Sequence, residues 1–138
     1  LMLACAKSGM EVALVCPKGY PPNERFVKEA KKFGKVEVYT DPAQGVKTAD
    51  VIYTDTWISM GMEDEKAERT KAFSPFQVND GLVAHAKKDC IVMHCLPAHR
   101  GLEITSEVMD GKVSVVWDQA ENRLHMQKAI MLRLFGKA

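Results

Sequence analysis

The residues best suited to chemistry stand directly after short apolar runs. Thr54, Asp55, Thr56 and then Ser59-Met60-Gly61 follow Val51-Ile52-Tyr53, and His94-Cys95-Leu96-Pro97 follow Ile91-Val92-Met93. Asp118, Glu121, Asn122 and Arg123 follow the run from Val113 to Trp117. Open parallel sheets bind ligands outside the carboxyl ends of their strands. If these runs are strands of one such sheet, a carboxylate, a hydroxyl, a thiol and a guanidinium meet at one edge. Together they could bind charge and move protons.

Each residue also has a plainer reading. Asp55 is of a type that caps turns at strand ends, and Ser59 and Gly61 suit loop punctuation. A free Cys such as Cys95 is most often a small buried hydrophobe, and His94 beside it serves equally well as a satisfied structural group. Arg123 falls a few residues into a helix, where an Arg is ordinarily solvated. Asp118 and Glu121 have capping-box spacing. His94, Cys95 and His99 invite a zinc reading, but no fourth ligand is evident, so no metal or other cofactor is expected.

The elements that would position these residues alternate along the chain. Glu11 to Cys16 reads as a strand closed by Pro17-Lys18-Gly19 and Pro21-Pro22. Asn23 caps a helix carrying Phe26, Val27, Ala30 and Phe33 at helical spacing. Val36 to Thr40 alternates with period two, and Asp41-Pro42 opens a short helix to about Ala49. The runs at 51–53, 91–93 and 113–117 are nearly continuous in apolar residues, as strands covered on both faces are. Helices are expected near 63–73, 79–87, 104–110 and 119–135. Such alternation predicts a doubly wound, three-layer α/β domain with a mainly parallel sheet.

The whole 138-residue chain reads as one domain of ordinary size. Nineteen basic against eighteen acidic residues point to neither nucleic acid nor an anionic membrane as partner. No apolar run approaches the roughly 20 residues of a membrane span, and a cytoplasmic setting is expected. Cys5, Cys16, Cys90 and Cys95 form no Cys-x-x-Cys pair and read as reduced thiols. Leu1-Met2-Leu3-Ala4-Cys5-Ala6-Lys7 reads as the middle of a helix, so a longer protein is expected. The last helix is apolar on two faces (Met126, Ala129, Ile130 and Leu134 on one; Leu124, Met131, Leu132 and Phe135 on the other). It is either a core helix or one with a second surface to cover; in the latter case the isolated chain should self-associate.

Taken together, Ala49 to Asp55, Trp57-Ile58-Ser59-Met60-Gly61, His94-Cys95-Leu96-Pro97 and Asp118-Gln119-Ala120-Glu121-Asn122-Arg123 resemble the ornithine carbamoyltransferases. The likeness is to their second, ornithine-binding domain. Cys95 and the Ser-Met-Gly loop distinguish this pattern from aspartate carbamoyltransferases. The resemblance implies transfer of a carbamoyl group from carbamoyl phosphate to the δ-amine of L-ornithine, giving citrulline and phosphate. It implies that Asp55, Ser59 and the Met60 backbone hold the amino-acid end. It places Cys95 beside the δ-amine, which has a pKa of roughly 10.4 and must lose a proton before attack. Whether Cys95 is the base or an orienting group stays open. Arg123 is implied at the carbamoyl oxygen, and the Leu96 carbonyl at the carbamoyl amide, with Pro97 fixing the turn through a cis bond. For the intact enzyme it implies a homo-oligomer, the family's trimer.

The family's Ser-x-x-Arg-Thr phosphate loop is absent from this chain, so negligible turnover is expected of it alone. Two other classes fit the residues less well. One is a catalytically silent amino-acid-binding regulatory module; the other is a carbamoyltransferase of different acceptor specificity. A nucleotide-binding domain is disfavoured, because no G-x-G-x-x-G follows any strand.

Overall fold

The computed structural model describes residues 1–58, 61 and 63–137. Seven α-helices and four strands occur among the described residues: α1 (Met2–Lys7), β1 (Val12–Val15), α2 (Glu24–Ala30), β2 (Val36–Tyr39), α3 (Pro42–Val46), β3 (Val51–Thr54), α4 (Lys66–Phe73), α5 (Asp80–Val83), β4 (Ile91–His94), α6 (Ser106–Met109) and α7 (Val116–Leu134). Helix starts follow the cap chemistry of the sequence. The Asn23 side chain accepts from the Arg25 N–H at 3.0 Å, and Asp41 does the same for Ala43 at 3.0 Å, with Pro42 in the first turn of α3.

All strand pairing is parallel, as the alternation predicts. It falls into two pairs, β1 with β2 and β3 with β4. Parallel neighbours need a crossover; α2 provides it for the first pair, while α4 and α5 lie between β3 and β4. The expected strand at 113–117 is instead a single parallel bridge. The Val92 N–H donates to the Val113 carbonyl at 2.8 Å, Val115 returns a bond to Val92 at 3.0 Å, and α7 begins at Val116. A short apolar run suits a buried helical turn as well as a strand, and Val116, fully buried, is that turn.

The main core lies against β3 and β4, where Ile52, Val92, Ile104, Val108 and Val116 pack together. A smaller cluster of Ala6, Ala30 and Val36 lies against β1 and β2. Three expectations need correction. Val51 and Tyr53 are exposed, so β3 is not covered on both faces. The capping box at Asp118 does not form, because Asp118 sits inside the first turn of α7; the Ser114 hydroxyl accepts from Val116 instead, at 3.4 Å, and Glu121 faces His125. The last helix is not a core helix, since each residue from 121 to 137 is exposed.

Candidate active site at the ends of β3 and β4

The register of β3 and β4 decides which side chains can meet. Tyr53 pairs with Met93 and Thr54 with His94; carrying the register one residue further sets Asp55 opposite Cys95. Side chains two apart along a strand share a face, so Tyr53, Asp55 and Cys95 fall on one side. Asp55 and Tyr53 both stand close enough to the Cys95 thiol to influence its titration. Burial pushes the thiol's pKa up, and the Asp55 carboxylate pushes it further, outweighing the opposing bond from Tyr53. Cys95 therefore holds its proton more tightly than a free thiol does. Tyr53 is also raised, first by burial and then by Cys95.

Asp55 fills its plainer role as well, since its Oδ1 accepts the Thr56 N–H at 2.7 Å. Its side chain is exposed and remains available to a ligand.

The His94–Pro97 turn is braced from beneath. The Leu96 N–H donates to His94 Nδ1 at 2.8 Å, leaving Nε2 to carry the ring proton and donate to Glu103 Oε1 at 3.1 Å. His94 and Glu103 are fully buried, and Glu103 Oε1 also accepts the His99 backbone N–H. Leu96 takes φ +55°, a region that costs a non-glycine residue of order 1 kcal/mol or more, and the Leu96–Pro97 peptide is cis. The Leu96 carbonyl accepts no hydrogen bond from any described residue. Among the described residues no group of three His, Cys, Asp or Glu side chains is arranged to hold a metal.

Gln119, in the first turns of α7, ties the helix to this edge. Its Oε1 accepts from the His94 N–H at 3.0 Å and its Nε2 donates to the Tyr53 hydroxyl at 3.2 Å. Arg123 lies four residues on, on the same helical face. It is exposed, and its guanidinium pairs with no described residue. The structure thus brings Asp55 and Cys95 together and leaves Arg123 one turn out along α7, without contact to either. Ser59 and Met60 lie outside the described residues. Sequence reasoning missed Tyr53, Glu103 and Gln119; only Tyr53 had a signal, its two-residue spacing from Asp55.

Residues 1–134 match the family described as aspartate/ornithine carbamoyltransferase, Asp/Orn binding domain. The chain belongs to that family. It is similar to an ornithine carbamoyltransferase of Archaeoglobus fulgidus, 57% identical over 99% of this chain and 45% of that protein. A solved ornithine carbamoyltransferase from Pyrococcus furiosus aligns at 54% identity with a TM-score of 0.87, covering 95% of this chain and 44% of that one. The anabolic enzyme of Campylobacter jejuni aligns at 33% identity and a TM-score of 0.90, covering 99% and 47%. The chain therefore spans a little under half the length of the relatives it matches. It contains no helix, among the described residues, long and apolar enough to cross a membrane.

Proposed function

We propose that residues 1–138 are the ornithine-binding domain of an ornithine carbamoyltransferase. The whole protein would transfer the carbamoyl group of carbamoyl phosphate to the δ-amine of L-ornithine, as a cytoplasmic homo-oligomer. The observation that carries this reading is the placing of Asp55, Cys95 and Tyr53 on one face by the β3–β4 register, with a Leu96 carbonyl that no described residue hydrogen-bonds.

A cationic alkyl amine suits that face. Asp55 supplies the anion that attracts it, and the charge-assisted bond is stronger than a neutral one. Cys95, next to Asp55, orients the amine; the incoming cation favours loss of the thiol's own proton to solvent, and the thiolate so formed then takes the proton of the amine. The free amine nitrogen then attacks the carbamoyl carbon, and phosphate leaves. Arg123 faces the developing oxyanion, and the Leu96 carbonyl accepts from the carbamoyl amide. Ser59 and the Met60 backbone hold the α-amino and carboxylate end. Carbamoyl phosphate needs cationic partners, of which Arg123 is the one this reading assigns in the present chain.

The test is a chimera joining this chain to the first half of the Archaeoglobus fulgidus relative. Citrulline formation should depend on L-ornithine, with N-acetylornithine, putrescine and aspartate at least a hundredfold poorer in kcat/KM. Asp55→Ala and Cys95→Ala should each lower kcat/KM for ornithine by a hundredfold or more. Equal use of another acceptor overturns the assignment.

A further inference from the structure

His99 is half exposed, yet both its backbone and its ring are placed by specific bonds. Its N–H donates to the buried Glu103 Oε1, and its Nδ1 lies 3.8 Å from the same oxygen and 3.3 Å from Thr56 Oγ1. Thr56 stands 43 residues away in sequence. The imidazole therefore spans from the loop after β4 to the loop after β3.

The direction of the Thr56–His99 bond follows from the hydroxyl's other partner. Thr56 has one hydroxyl proton, and it is donated to the Ile58 carbonyl at 3.1 Å. His99 Nδ1 must then carry a proton and donate to Thr56 Oγ1. His94 has the opposite arrangement, since its Nδ1 accepts from Leu96 and its Nε2 holds the proton. Two histidines five residues apart are thus held in opposite tautomers around one carboxylate.

Thr56 is also the residue whose N–H braces the Asp55 carboxylate, at 2.7 Å. A fixed Thr56 fixes Asp55 relative to Cys95. We propose that His99 is a positioning residue that clasps the Asp55–Ile58 turn to the Cys95–Pro97 turn through Nδ1–H and the Thr56 hydroxyl, and so sets the affinity of the site for its amino-acid substrate. The link to substrate affinity rests on the function proposed above; the clasp itself does not. His99 acts through Thr56 and touches no reacting atom.

Two measurements test it. Long-range proton–nitrogen correlation spectra of the labelled 138-residue chain should show His94 protonated at Nε2 and His99 at Nδ1. Thr56→Val should release His99 to the tautomer mixture of a free imidazole and leave His94 unchanged, a response that loss of fold would not give. In the chimera, His99→Ala should raise the ornithine KM about tenfold with kcat within twofold, the pattern of lost binding common to ground and transition states. His99→Asn, whose side-chain N–H can stand in for Nδ1–H, should restore most of it. His99 protonated at Nε2, indifference to Thr56→Val, or an unchanged KM in His99→Ala would overturn the proposal. A wild-type chimera that ignores ornithine, with both tautomers as stated, supports the clasp and overturns the assigned substrate instead.

Discussion

Asp55 and Cys95 are brought into register by the parallel pairing of β3 with β4, and the carboxylate of the first raises the pKa of the second's thiol. Removing that charge should make the thiol more acidic. Asp55→Asn is expected to speed alkylation of Cys95 by iodoacetamide several-fold at pH 8, because more of it becomes the reactive thiolate. Burial, the larger cause, remains, so the thiol should not fall below its ordinary range. Site-resolved mass spectrometry over a pH series reads the shift. An alkylation profile identical in the two proteins would separate Asp55 from Cys95.

The same thiols make the fold sensitive to alkali. Cys16, Cys90 and Cys95 are all raised above 9.0, each first by burial. A raised acid holds its proton more tightly in the folded than in the unfolded chain. The resulting stability is fully present below pH 9.0 and is lost as pH climbs through the folded values. Urea unfolding midpoints should therefore fall between pH 8 and pH 11. Cys95→Ala should flatten part of that slope, and an unchanged slope would mean that Cys95 titrates alike in both states.

Glu103 carries the His94–Pro97 turn on one oxygen. Oε1 accepts from both His94 Nε2 and the His99 N–H, whereas Oε2 is buried without a partner. Glu103→Ala leaves two donors unsatisfied and should destabilise by about 2–6 kcal/mol, counting each at roughly 1–3 kcal/mol. Glu103→Gln keeps an acceptor at Oε1 and should cost less than half as much. Chemical denaturation compares them, and equal losses in the two variants would show that packing rather than hydrogen bonding holds the turn.

Gly45 lies where α3 presses on β1. A Cβ there would meet Val15 Cγ2 at 2.4 Å. Gly45→Ala is expected to destabilise by about 1–3 kcal/mol through overpacking. Val15→Ala in the same chain should recover part of this, although it forfeits apolar burial of its own. Thermal unfolding of the single and double variants checks the coupling, and strict additivity would argue against the contact.

Much of the frame could be read from residue types. The four described strands fall within or beside the apolar runs, and Asn23 and Asp41 cap the helices they precede. The third site-bearing strand was misread because Val113 to Trp117 is short and continuously apolar, a pattern that does not distinguish strand from buried helix start. The covering of β3 was overestimated for a related reason, since Val51 and Tyr53 are apolar but exposed. In the site, Asp55 and Cys95 were legible as strand-end residues. Glu103 was not, because its partners His94 and His99 reach it through a loop whose path the spacing does not encode.

The division of the strands into two separate pairs has a consequence for handling the chain. Two-stranded sheets are marginal by themselves, and here each strand of each pair has at most one laddered neighbour. The outer N–H and C=O groups of β1 and β3 therefore form templates onto which any extended peptide could zip. At high concentration such edge pairing should add to contacts through the exposed apolar side chains of α7, Leu124, Ile130 and Leu134 among them. A short peptide matched in length to β3 should suppress the edge pairing better than detergent does.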